Sequence, residues 1–293
     1  MAVYINSNTS YKDFQMLSSD KFFVDKSLII DKVNERIHTK NRCLCITKPR
    51  RFGKTSVLNM LGAYYGKSYP SSAIFDQLKI SHCKSYTVHL NQYNIINLNM
   101  NCLPDNGSSY SDYTALIKGT IEDDIEALYP ELKRASFRSL PDLLTATKDE
   151  FIFFIDEWDY IFSHDLYREN HSDFLEFLRY LLKDRPYVAL AYMTGVLPIK
   201  KYSTGSALNM FDEYTMLNDS LFDEYFGFTE EEAAALCARQ SNLSLQEIAE
   251  WYNGYLADDG RKLYNPRSVI LALINGKCRS GRRPANWMKS FSF

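Results

Sequence analysis

The stretch Cys43-Leu44-Cys45-Ile46-Thr47-Lys48-Pro49-Arg50-Arg51-Phe52-Gly53-Lys54-Thr55-Ser56 decides how the rest of the chain is read. A short apolar run of strand type flows into a basic turn, then Gly-Lys-Thr, then Val57-Leu58-Asn59-Met60-Leu61 at helical spacing. Strand, turn, Gly-Lys-Thr and helix form the context that a phosphate-binding loop requires. Gly53 lets the backbone close in on a phosphate, and Lys54 sets a point charge against its oxygens. Thr55 offers a hydroxyl to Mg²⁺, while the first amides of the helix that opens at Ser56 point at the anion. The reading therefore starts from a nucleotide held by Pro49, Arg50, Arg51, Phe52, Gly53, Lys54, Thr55 and Ser56.

One position departs from the usual loop. Five residues before Gly53, where a glycine is the rule, stands Lys48, and it precedes Pro49. A residue before proline is pushed toward extended conformations, so the loop cannot enter its turn through glycine-only geometry. A second, matching signal is needed, and it lies further along. Phe151-Ile152-Phe153-Phe154-Ile155 is the continuous apolar run of a strand buried on both faces, and it ends in Asp156-Glu157-Trp158-Asp159. Carboxylates at the carboxyl end of a parallel strand sit where open α/β sheets bind ligands. Asp156 is then placed to hold Mg²⁺ through its water shell, and Glu157 to orient or deprotonate an attacking water. Asp159 reads equally well as a support for the loop or as an exposed turn carboxylate.

Between and beyond these two tips, strand-like and helix-like stretches alternate. Residues 93–100 read as a strand, 101–109 as a loop, and Tyr110–Leu128 as a helix whose Glu122, Asp123, Asp124 and Glu126 form a solvated face. A helix with Phe174, Leu175, Phe177, Leu178, Leu181 and Leu182 follows. Tyr187–Gly195 is another apolar strand, and its Thr194 is a candidate to contact the γ-phosphate or the attacking water. The alternation predicts an α/β fold with a mainly parallel sheet and helices on both faces. Ahead of the first strand, Phe22-Phe23-Val24-Asp25-Lys26-Ser27 leads into a short helix with an aspartate or serine as its N-cap. That segment reads as covering either the base of a nucleotide or an edge of the sheet.

From Phe211 onward the pattern predicts helices and turns without strands. Thr229 with Glu232 and Ser244 with Glu247 are capping boxes, and a last helix runs from Val269 to Ile274. The expected organisation is an N-terminal segment over 1–40, a core over 41–205, a helical lid over 206–275 and a basic tail over 276–293. The tail carries Lys277, Arg279, Arg282, Arg283 and Lys289 without an acid. It favours a solvated end over contact with nucleic acid.

Composition sets bounds around this. The 293 residues suffice for a large core, and a net charge of -2 offers no general case for nucleic acid or membrane. Six cysteines lack any Cys-x-x-Cys spacing, which reads as reduced thiols in a cytoplasmic protein. No apolar run approaches the ~20 residues of a membrane span, and the first residues do not read as a secretory leader.

Taken as an ordered set, the motifs resemble the AAA-ATPase-like proteins of bacteria, P-loop ATPases related to the signal-transduction branch of the AAA superclass. The resemblance rests on Phe23-Val24-Asp25-Lys26-Ser27, Lys48 through Thr55, Phe154 through Asp159 and Met193-Thr194-Gly195-Val196. It continues in Tyr225 through Glu232, Trp251-Tyr252-Asn253-Gly254-Tyr255 and Tyr264-Asn265-Pro266-Arg267-Ser268. It covers nearly the whole chain, and a basic residue at Lys48 is what that family tends to carry. It implies ATP bound by Gly53, Lys54 and Thr55, with Asp156 and Glu157 as the acidic pair, and Pro266 as an adenine-facing proline. Trp158, where a tyrosine is usual, and Arg267, where an aromatic is frequent, depart from it. Family members often continue into a nuclease-like domain, which is expected to be missing here. The expectation is a Mg-dependent ATPase switch, with Lys54, Glu157 and Thr194 as catalytic residues and Thr55 and Asp156 as metal ligands, acting on an unidentified protein partner. A small-molecule kinase and a non-hydrolysing ATP-stabilised module are the alternatives.

Overall fold

The structure, a computed structural model, describes residues 3–104, 108–202, 207–217, 219, 221–240, 242–252, 254–257 and 259–278. The basic residues Arg279 to Lys289 and Asn253 of the Trp-Tyr-Asn-Gly-Tyr motif lie outside the described residues. The chain divides into two compact units: Met1–Pro49 with Lys54–Thr215, and Arg50–Gly53 with the chain from Met216 onward.

The first unit is built on five strands, β1 (Cys43–Thr47), β2 (Asn94–Asn99), β3 (Phe151–Asp156), β4 (Val188–Gly195) and β5 (Asp212–Tyr214). They lie in the order β2-β3-β4-β1-β5, and every pairing is parallel. The helices that matter for this sheet are α1 (Thr9–Ser18), α2 (Ile29–Asn34), α3 (Lys54–Tyr65), α4 (Tyr110–Leu128), α5 (Leu140–Ala146) and α6 (His171–Leu182). Every residue of β1, β3 and β4 is buried. Such strands read as unbroken apolar runs because helices cover both of their faces. On one face Phe151, Phe153 and Ile155 share a core with Ile117, Ile121 and Ile125 of α4 and with Phe174, Leu178 and Leu181 of α6. On the other, α3 lies close enough that a Cβ on Gly62 would stand 2.8 Å from Ser10 of α1 and 3.9 Å from the ring of Phe154.

The outer edge of β2 is closed by the N-terminal residues, since Ile5 bridges antiparallel to Ile96 and the Asn6 amide donates to the Ile95 carbonyl at 2.8 Å. This pairing is pinned from α4. Asp124, only 5% exposed, accepts from the backbone amides of Val3, Tyr4 and Ile5 at 3.0, 2.7 and 2.9 Å. Asp124 therefore leaves the solvated face expected of its acidic run, because three successive amides replace the water that a carboxylate would otherwise need.

The Asp25 and Ser27 side chains also differ from their expected role. Helix α2 has no side-chain cap. Asp25 accepts instead from the amides of Ser27 and Lys79, both at 2.8 Å, and Ser27 Oγ accepts from Ile80 at 3.1 Å. The two polar side chains hold a distant turn in place of the helix next to them.

The second unit contains α7 (Glu230–Gln240), α8 (Leu245–Tyr252) and α9 (Pro266–Asn275), as the sequence predicts, with both capping boxes formed. It is not free of strands. β6 (Phe228–Thr229), β7 (Tyr255–Leu256) and β8 (Lys262–Tyr264) form an antiparallel sheet in the order β6-β8-β7, and in the first unit β5 pairs with β1. Strands of two or three residues are too short to display alternation, and polar Asp212-Glu213-Tyr214 sits on a sheet edge, where period-2 signals fade.

Asp124→Ala removes one acceptor from three buried or half-buried amides, so the expected loss is about 3 kcal/mol of unfolding free energy. A denaturant midpoint equal to that of the wild type would show that these amides find other partners.

Candidate nucleotide site

Because β1, β3 and β4 run parallel, their carboxyl ends share one edge. Ile46 pairs with Thr194, and Ile155 pairs with Met193. The sequence-predicted residues of the first unit converge there. Thr55, in the first turn of α3, donates its hydroxyl to Asp156 Oδ2 at 2.7 Å. Thr194, wholly buried at the tip of β4, donates its own hydroxyl to Asp156 Oδ1. The Glu157 amide also donates to Asp156 Oδ1, at 3.0 Å. Asp156 is 6% exposed, and these donors satisfy it where water scarcely reaches.

Lys54 opens α3 and is 9% exposed, and its ammonium donates to the carbonyls of Lys48 and Pro49 at 2.8 and 3.0 Å. Ser56 follows in the same turn and is exposed. Lys48, at the position where a glycine was the rule, is 1% exposed; its amide continues the β1–β4 ladder to Gly195 at 3.2 Å and its Nζ donates to the Thr215 carbonyl at 3.0 Å. The lysine thus prolongs the strand, as a pre-proline residue prefers to do, and spends its charge on the end of β5.

The acidic turn is tied to the exit of β4. The Trp158 amide donates to the Thr194 carbonyl at 3.0 Å, and Asp159 Oδ2 accepts from Val196 and Leu197 at 3.1 and 2.8 Å. Asp159 is 4% exposed, which settles the choice between support and exposed turn in favour of support. Burial pushes its carboxyl above the usual carboxylate range, against the pull of the Leu197 and Val196 amides and of Lys54. A Cβ on Gly195 would lie 2.5 Å from Trp158 Nε1 and 2.7 Å from Asp159 Oδ1, so the turn packs directly on bare backbone. Glu157 adopts φ +53°, and its Oε2 accepts from the Asn101 amide at 3.0 Å. Sequence reasoning missed Asn101. It sits in the loop after β2, and only the strand order, with Asn99 beside Asp156, brings it to the glutamate.

In the second unit, the crest residues Arg50 to Gly53 have their own partners. The Phe52 carbonyl accepts from Gly227 at 3.0 Å, the Arg50 carbonyl accepts from the Asn265 side chain at 3.2 Å, and the Phe52 ring meets Tyr255 edge-on with centroids 4.7 Å apart. Arg51 and Gly53 adopt φ +68° and +90°. Arg50 and Arg51 are exposed, and neither guanidinium forms an ion pair among the described residues. Pro266 is the first residue of α9, which Asn265 caps by accepting from the Ser268 amide at 3.3 Å.

A parallel five-stranded sheet between helical layers, with Gly-Lys-Thr after one strand and Asp-Glu after another on the same edge, defines the fold as that of a P-loop NTPase core, followed by a C-terminal helical stretch. A family model described as a predicted AAA-ATPase matches residues 9–204, and the chain belongs to that AAA-ATPase-like family. Among solved structures, the Walker-type ATPase PABY2304 of Pyrococcus abyssi aligns at 14% identity and a TM-score of 0.47, over 86% of this chain and 67% of that one. The ORC2 protein of Aeropyrum pernix, solved in ADPNP–ADP complexes, aligns at 10% identity and 0.41, over 90% of this chain and 64% of that one. No curated protein matches the chain. Among the described residues, no helix is long and apolar enough to cross a membrane.

Asp159→Asn keeps an oxygen for the Val196 and Leu197 amides and removes the titration. Since the folded carboxyl titrates above its free value of 3.8, its favourable contribution is present below that pH and is lost as pH rises through the raised value. The stability of wild type relative to Asp159→Asn is therefore expected to fall as pH rises from about 4 toward neutral. Parallel stability curves across that range would remove the buried carboxyl from the account.

Proposed function

We propose that the protein binds ATP with Mg²⁺ and hydrolyses it slowly, as a nucleotide-driven switch. The observation that carries this reading is the 2.7 Å hydrogen bond between the Thr55 hydroxyl and Asp156, which joins the head of α3 to the acidic strand tip. Lys54 and the loop amides, with Pro49 to Ser56, hold the phosphates. Thr55 and Asp156 are the residues that would hold Mg²⁺. Their oxygens suit a hard cation that keeps several waters and takes few protein ligands. When bound, the cation neutralises charge on the phosphate oxygens.

Glu157 orients the attacking water and accepts its proton, and Asn101 holds the glutamate carboxylate by one amide hydrogen. Thr194 serves the γ position through Asp156, to which its hydroxyl is donated. Pro266 is proposed to lie against the adenine on the family resemblance alone. An unidentified protein partner would receive the switched state. The domain boundaries at 40, 205 and 275 and a cytoplasmic location remain part of this proposal.

ATP turnover with Mg²⁺ tests the reading directly. Lys54→Ala is expected to lose nucleotide binding, and Glu157→Gln to keep binding while turnover falls at least about a hundredfold. A Glu157→Gln protein that releases phosphate at the wild-type rate would falsify the role of Glu157. Phosphate transfer to a small acceptor would favour the kinase alternative, and a melting shift with ATP but no phosphate release would favour the non-hydrolysing module.

A further inference from the structure

Three pieces of the second unit have no place in the chemistry above: Phe226-Gly227-Phe228, the tyrosine that ends Trp-Tyr-Asn-Gly-Tyr, and Tyr264-Asn265 ahead of Pro266. They meet at the crest of the phosphate loop. Gly227 donates its amide to the Phe52 carbonyl, Asn265 donates its side-chain amide to the Arg50 carbonyl, and Tyr255 packs edge-on against Phe52. Phe52 is 1% exposed, so its ring is an anchor sunk in this unit.

The peptide plane gives these contacts a consequence. All peptide bonds described are trans, so a carbonyl and the N–H that follows it point in opposite directions. Turning the Arg50 carbonyl to Asn265 aims the Arg51 N–H the other way. Turning the Phe52 carbonyl to Gly227 does the same for the Gly53 N–H. The residues that carry these two amides, Arg51 and Gly53, both adopt left-handed φ values, +68° and +90°. Amides oriented in this way are the donors with which such loops cradle phosphate.

We infer that Asn265 and Gly227 are positioning residues of the phosphate loop: by holding the carbonyls of Arg50 and Phe52, they aim the amides of Arg51 and Gly53 at the phosphates. This rests on the nucleotide reading given above and assigns the Asn-Pro turn a task toward the phosphates, apart from any contact with the base. Gly227 has φ +79°, and a Cβ there would stand 3.0 Å from the Phe52 ring and 3.2 Å from the Tyr264 carbonyl, so a side chain would be strained and would crowd Phe52 where the loop is gripped.

Asn265 has two jobs that one substitution separates. Its oxygen caps α9, and its amide holds the loop. Asn265→Ser keeps a capping oxygen, adds no charge and loses the reach to Arg50. Two readouts are needed. Without nucleotide, hydrogen exchange of the peptide spanning 47–56 is expected to quicken in Asn265→Ser while the melting temperature stays within a degree or two of wild type; unchanged exchange overturns the anchoring itself. With ligand, ATP, ADP and inorganic pyrophosphate are expected to bind about tenfold more weakly, and by the same factor, because the lost orientation concerns phosphates. A loss confined to ATP and ADP, with pyrophosphate unaffected, would assign Asn265 to the adenosine and overturn the inference. Gly227→Ala is the second variant, expected to weaken pyrophosphate by displacing Phe52, and intact pyrophosphate binding in a folded Gly227→Ala protein also counts against it. A wild type that binds none of the three while exchange responds as expected would sink the nucleotide reading and leave the anchor standing.

Discussion

A buried carboxylate held by three donors sets the terms for everything around it. Asp156 is almost out of reach of water, and it persists as an acceptor because Thr55, Thr194 and the Glu157 amide all donate to it. Each donor comes from a different place in the chain: the head of α3, the tip of β4 and the turn after β3. The arrangement is available only where parallel strands end together, since reversing any one strand would send its tip to the opposite edge. The five residues before Asp156 are apolar for the same reason: a strand covered on both faces can afford charge only where it leaves the sheet.

Positioning the acidic turn falls to backbone contacts on β4. Gly195 has no room for a side chain beneath Trp158 and Asp159, and Asp159 spends its carboxylate on the amides of Val196 and Leu197. Glu157 is thereby left in a left-handed conformation that a non-glycine residue adopts only when its neighbours hold it there. The strain, of order 1 kcal/mol, is offset by contacts that lie outside the glutamate itself. The residues that aim the side chain are therefore not the ones a reaction scheme would name.

The sequence was most legible where burial forces a pattern. Cys43–Thr47, Phe151–Asp156 and Val188–Gly195 read as strands because both of their faces are covered, and the capping boxes at Thr229 and Ser244 read correctly because each is a local exchange of hydrogen bonds. Strand order was not legible. Nothing in the residues near Asn101 announces that β2 lies beside β3, so its contact with Glu157 stayed hidden. Asp124 was misread because its neighbours Glu122, Asp123 and Glu126 suggest a solvated run, whereas the three amides it serves lie more than a hundred residues away. The short strands of the second unit escaped for want of length.

The state of Lys54 follows from the same physics as that of Asp156. The charge of a buried lysine must be paired, and two carbonyls of its own loop, those of Lys48 and Pro49, accept from Lys54. Carbonyls are dipoles, and a phosphate oxygen carries charge, so under the proposed reading the arriving anion displaces weaker partners without having to strip a hydrated lysine from bulk water. A cation already held within its loop has less rotamer freedom left to lose when the ligand comes. The unusual Lys48-Pro49 entry fits this arrangement: an extended backbone before proline, continuing the β1 ladder, leaves both carbonyls of that dipeptide within reach of Lys54.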